Sequence, residues 1–184
     1  MPSFTSYLQH LADMLDKQTL RVRSLETLTP EQWNWTPDKK TWSIGQGVQH
    51  LQLAGNGVVP RFQRAIEELR RIDKRNDAEP RLNFAERMML RFVSPNPPFR
   101  VPVPPGFEPA LIPEPKDTAL PQFLKLHADL HDVLVNASGY DLEAVAVESP
   151  VTRLFKPSFG AYLAITVQHQ EYHGLQIDAL RAQF

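Results

Sequence analysis

Histidine carries the most specific chemistry in this 184-residue chain, which has six histidines and no cysteine. His169 and His173 stand four residues apart in the stretch QHQEYHGLQ. On a helix that spacing puts both on one face, with Cβ atoms about 5–6 Å apart, so two imidazoles can reach a single ion. Zinc and similar borderline cations take imidazole nitrogen at about 2.0–2.1 Å, and a third ligand from another helix would close a facial set. His50 is the natural candidate for that place. With no thiolate available, any metal must be held through nitrogen or oxygen.

The same spacing recurs at His127 and His131, and spacing does not choose between the two pairs. His127 falls on a stripe with Phe123, Leu124, Leu130 and Leu134, and His131 falls toward its edge. Helical projection around His50 gathers Ser43, Gln46, Gly47, Leu53, Ala54 and Gly57, a face dominated by small residues that either admit a neighbouring helix closely or leave volume for a substrate. Around His169 and His173 it gathers Tyr162, Ile165, Thr166, Tyr172 and Gln176, a face too polar for plain core. His10 reads as a lone helical residue.

The elements that must position these side chains are helical. Leu8, Leu11, Leu15, Val22, Leu25 and Leu28 recur at mostly three- and four-residue intervals and predict a first helix over 4–28. Thr29, Pro30 and Glu31 read as N-cap, first-turn proline and first-turn acid, so a short turn of helix leads into a connection that holds Trp33, Trp35 and Trp42. A second helix starts at Ser43 as N-cap, carries Ile44, Val48, Leu51, Val58, Phe62, Ile66 and Leu69, and is expected to kink at Pro60. Gly45, Gly47, Gly55 and Gly57 lie inside it at about 1 kcal/mol each against alanine, so something must compensate.

Over 76–116 the pattern breaks, and nine of the seventeen prolines fall within 95–115. That stretch reads as an extended, partly polyproline-like crossover with one short helix at 83–92. A third helix over 117–137 accommodates Pro121 only in its first turn, and Ser158 caps a fourth over 159–182. Four long helices with almost no strand pattern predict an all-α four-helix bundle in one domain, 1–184. The short link makes helices one and two antiparallel neighbours, and the long crossover permits an up, down, down, up arrangement.

Twenty basic against twenty-one acidic side chains leave a net charge of -1, which excludes the basic footprint of a nucleic-acid or anionic-membrane binder. The absence of cysteine excludes a disulfide framework and a cysteine nucleophile. The first residues, MPSFTSYLQHLADMLDK, hold no apolar leader core, and no run of about 18 apolar residues occurs, so a cytoplasmic protein is expected.

The segments LTPEQWNWTPDKKTWSIGQGVQHL and FGAYLAITVQHQEYHGLQIDAL resemble the DinB-like (DinB/YfiT-like) superfamily of four-helix metalloproteins. The resemblance rests on Trp42 and Ser43 opening helix two, on His50 seven residues after that serine, and on the pair His169 and His173. It implies that His50, His169 and His173 hold a divalent ion, commonly zinc or nickel, with water in open positions, inside an up, down, down, up bundle that often forms a homodimer. Many relatives carry an acidic residue soon after the helix-two histidine, whereas here LQLAGNGVV follows, and the crossover is unusually long.

Characterised relatives include thiol-dependent transferases and isomerases, so the resemblance implies a divalent-metal-dependent transferase or hydrolase that acts on a small molecule, with a low-molecular-weight thiol as candidate partner. Tyr162 and Gln176 are candidates to support the ligands or contact substrate, and Gln46 is a further one. Glu171 lies about 200° around the helix from each histidine and is not nominated as a base. The alternative is a noncatalytic bundle with a structural metal or a ligand-sensing pocket, whose folding would depend on the ion. Ligand histidines must be neutral, so metal affinity is expected to fall below about pH 6.5.

Overall fold

Six α-helices and one short 3-10 turn make up the regular structure of the residues described by the computed structural model, 5–99 and 101–184. The chain is all-α. Among the described residues the only strand-like pairings are isolated bridges, Arg75 with Tyr140 and Ala146 with Ser158. No helix among them is long and apolar enough to cross a membrane.

Side-chain caps set most of the helix starts. Helix α1, Ser6–Ser24, begins after Thr5, whose hydroxyl accepts from Leu8 N. The stripe read as one helix to residue 28 changes pitch near its end, because Leu25–Thr27 is a 3-10 turn. The start expected at Phe4 lies outside the described residues. Helix α2, Pro30–Asn34, is closed by a reciprocal pair in which Gln32 N donates to Thr29 Oγ1 and Thr29 N donates to Gln32 Oε1. Helix α3, Ile44–Ile72, opens on the same device between Ser43 and Gln46 and continues through Pro60. Asn83 and Glu86 repeat it at α4, Phe84–Phe92, the short helix expected inside the proline-rich stretch.

Helix α5, Lys116–Ala137, starts so that Pro121 stands beyond the first turn rather than within it. The donor that proline lacks would have faced the carbonyl of Asp117, an exposed residue. Helix α6, Phe159–Arg181, is capped by Ser158 Oγ, which accepts from Ala161 N.

The two N-terminal long helices are not the side-by-side neighbours their short link suggested. Both α1 and α3 make their extensive contacts with α5 and α6. The link is no tight turn, since it holds the 3-10 turn, α2 and a non-helical stretch to Ser43. One contiguous apolar core runs from Leu8 to Leu180 and includes the fully buried rings of Trp33, Phe62, Phe123 and Phe159. Close packing answers the glycine question at two places: a Cβ on Gly45 would overlap the Trp33 indole and Pro113, and one on Gly55 would overlap the Leu126 side chain. Two polar clasps fix α6 in place. Arg21 on α1 pairs with Glu171 at 2.9 Å and Asp178 at 2.8 Å. Glu86, only 2% exposed, accepts from Asn83 N and from Ser158 N, each at 2.7 Å, so one carboxylate serves the starts of α4 and α6.

Candidate metal centre

Helix α3 delivers His50 and α6 delivers His169 and His173 to one place. One ring nitrogen from each lies within 4.8 Å of the others, and this is the one group of three or more potential ligands of that kind among the described residues. The rings meet edge to face, with centroids 5.2 Å apart for His50 and His169, 4.6 Å for His50 and His173, and 4.7 Å for His169 and His173.

Hydrogen bonds decide where the lone pairs point. His50 Nδ1 lies 2.7 Å from the carbonyl of Phe107, which can only accept, so that nitrogen carries the proton and Nε2 keeps its lone pair. In the same way His173 Nδ1 donates to Gln176 Oε1 at 2.9 Å and leaves its Nε2 unprotonated. His50 Nε2 and His169 Nε2 are 3.3 Å apart. Two nitrogens each about 2.0–2.1 Å from one tetrahedral ion lie about 3.3–3.4 Å apart, so the spacing suits an imidazole-held ion. The three residues therefore fit such a group in donor type, and the His50–His169 pair fits it in separation as well.

Burial keeps the three rings neutral. It pushes His50 below its ordinary value, against the pull of the Phe107 carbonyl. His169 is driven well below, by burial first and then by the charges His173 and His50 would carry. His173 falls to about 3, from burial and His50, partly offset by Gln176. Protons then begin to compete with an ion at a lower pH than the 6.5 expected of unperturbed histidines.

Aromatic rings wall one side. Trp42 stacks beside His173 at 6.0 Å with the planes 23° apart and is tilted to His50 at 5.0 Å, and Tyr172 meets His173 edge-on at 4.8 Å. Thr166, one turn before His169 on α6, has a buried hydroxyl with no hydrogen-bond partner, the kind of group a bound water or ligand satisfies.

The other nominated residues lie elsewhere or serve the fold. The Tyr162 hydroxyl faces Ser149 at 3.5 Å, about two turns before His169. Gln46 caps α3 and donates to the carbonyls of Ala110 and Leu111. The rival pair separates: His127 is buried between Thr19 at 2.9 Å and Gln170 at 3.3 Å, whereas His131 joins no group of ligands. Glu171 is held by Arg21, and His10 is exposed. Sequence reasoning missed the Phe107 carbonyl and Gln49, which accepts from Ala110 N at 2.9 Å. The available signal was the placing of Gln46, Gln49 and His50 at helical spacing on one face. A family model for the DinB superfamily matches residues 17–177. No curated protein and no solved structure matches the chain.

Proposed function

As the chain belongs to the DinB superfamily, we propose that His50, His169 and His173 hold one divalent ion, zinc or nickel, and that the protein is a metal-dependent transferase joining a low-molecular-weight thiol to a small electrophile. The observation that carries this reading is the convergence of three ring nitrogens within 4.8 Å, with the His50 lone pair set by the Nδ1 proton that the Phe107 carbonyl holds and Gln176 Oε1 facing His173 Nδ1. An ion bound by three neutral nitrogens keeps its charge and open positions, and lowers the pKa of a coordinated thiol or water. The chain's own part is to orient the rings through Phe107 and Gln176 and to shield His173 with Trp42 and Tyr172.

Thiol transfer is favoured over hydrolysis by what surrounds the cluster. No aspartate or glutamate joins it among the described residues, and Glu171 is committed to Arg21. A thiol, with an ordinary pKa of about 8.5, has a single proton to lose before it attacks, whereas hydrolysis goes on to move a second proton from the attacking water and commonly uses a carboxylate for it.

We also read α1, α3, α5 and α6 as an up, down, down, up bundle in a single domain. Bonds from Tyr7 to Gly160, Gln18 to Val167 and Arg181 to Ser24 rise together along α1 and α6, which supports a parallel pair. Gln52 with Ala119 and Arg70 with Asn136 support the same for α3 and α5. His50 with His169, and Phe62 with Phe159, run in opposite order along α3 and α6. The proline-rich stretch before α5 is then the crossover.

The test is elemental analysis of untagged protein, wild type against His169→Ala, with circular dichroism before and after chelation. Near one ion per chain in the wild type, little in the variant, and helices that survive chelation are the expected results. No ion in the wild type after reconstitution at pH 8 defeats the metal reading, and helices lost on chelation make the ion structural.

A further inference from the structure

The non-helical segment before α5 reaches the site in an ordered way. Phe107 N donates to Pro104 O at 3.1 Å, and Gly106 takes φ +86°. Proline at the second place and glycine at the third is the type II turn pattern, so PPGF turns the chain onto α3. From there the backbone is fastened repeatedly to the first turns of that helix. Phe107 O accepts from His50 Nδ1 at 2.7 Å. Ala110 N donates to Gln49 Oε1 at 2.9 Å, and the carbonyls of Ala110 and Leu111 accept from Gln46 Nε2 at 3.1 and 3.2 Å. Beyond these, Pro113 is buried against Gly45, and Glu114 O accepts from Trp33 Nε1 at 3.0 Å.

We propose, resting on the metal reading above, that this strap is a positioning device for His50 with Gln49 as its latch, so that strap docking and ion binding are linked. A docked strap places a carbonyl that only accepts against Nδ1, which keeps the proton there and the lone pair on Nε2. When the strap lifts, the ring loses its anchor and is free to turn or to carry its proton on Nε2, where it cannot ligate. Gln49 is not itself a member of the histidine cluster and acts through Ala110 on the carbonyl three residues earlier. Linkage is reciprocal: an ion at Nε2 excludes the wrong tautomer and thereby strengthens the bond to Phe107. Outer partners of a ligating histidine commonly change metal affinity by about 10–100-fold.

The experiment compares wild type, Gln49→Met, which removes the acceptor at similar length, and Gln49→Glu, which keeps one. Zinc affinity is read by competition with a chromophoric chelator, and hydrogen exchange of the Ala110 amide is followed with and without zinc. The expected results are a zinc Kd about tenfold weaker in Gln49→Met, a Kd near wild type in Gln49→Glu, and Ala110 exchange that zinc slows in wild type and Gln49→Glu. The exchange readout separates the latch from the added charge of glutamate. Equal zinc affinity in wild type and Gln49→Met, or Ala110 exchange indifferent to zinc, overturns the linkage alone. A wild type that takes no zinc overturns the metal reading and the linkage together.

Discussion

Acidification should unfold this protein in part through a histidine outside the candidate site. His127 is 2% exposed, with Nδ1 2.9 Å from Thr19 Oγ1, Nε2 3.3 Å from Gln170 Oε1, and the Phe123 ring edge-on at 4.7 Å. Burial lowers it to about 4, partly opposed by Gln170. An unfolded histidine titrates near 6.5, so between these values the unfolded chain binds the additional proton. Stability from this ring is therefore complete above about pH 6.5, lost as pH falls toward 4, and unchanged below that. The full gap is worth about 3 kcal/mol, of which about 2 kcal/mol is gone at pH 5. The three site histidines add losses of the same sign, so the contribution must be isolated by difference. His127→Gln keeps an amide for the same partners and cannot titrate. In urea unfolding of chelated protein followed at 222 nm, with a slope of about 2 kcal/mol/M, the midpoint should drop between pH 7.5 and 5 by about 1 M less in the variant than in wild type. Equal drops in both proteins would refute the argument that a neutral, buried His127 couples folding to pH.

Two further substitutions probe how the bundle is assembled. Glu86→Ala strands the backbone donors of Asn83 and Ser158; a loss of about 3 kcal/mol, seen as a melting temperature about 6–12 °C lower, is expected, and Glu86→Gln should fall between variant and wild type. Gly55→Ala gains about 1 kcal/mol of helix propensity but drives a methyl into Leu126, so overpacking of about 1–3 kcal/mol should leave the variant less stable by calorimetry.

What could be read from the sequence was what depends on neighbours along the chain. Ser43, Thr29 and Ser158 announced their helices because capping is a matter of three residues. His169 and His173 announced a shared face for the same reason, and the spacing of the second pair was indistinguishable until tertiary contacts put Thr19 and Gln170 around His127. Gln176, three residues from His173, was within reach of that reasoning, but the contact that sets His50 joins distant residues. Phe107 meets His50 across 57 positions through a backbone carbonyl, a group every residue has and no pattern marks. Gln46 was nominated as a contact to ligands or substrate and Gln49 was not singled out, yet both fasten another stretch of backbone. Pro121 misled because its cost depends on whether the carbonyl it abandons is wet, which burial decides. The pairing of α1 and α3 misled because a link that contains its own helix does not turn as a short loop does.

The stacking of Trp42 beside His173 gives the protein a built-in candidate reporter of its histidine cluster. Its three indoles occupy three settings: Trp33 is sealed in the core and bonded to Glu114, Trp35 rests edge-on against Phe184, and Trp42 alone faces imidazoles. An ion held by those imidazoles is expected to change the emission of Trp42 more than that of Trp33 or Trp35. Zinc titration with the emission recorded for wild type and for Trp42→Phe checks this, and an equal response in both proteins refutes it.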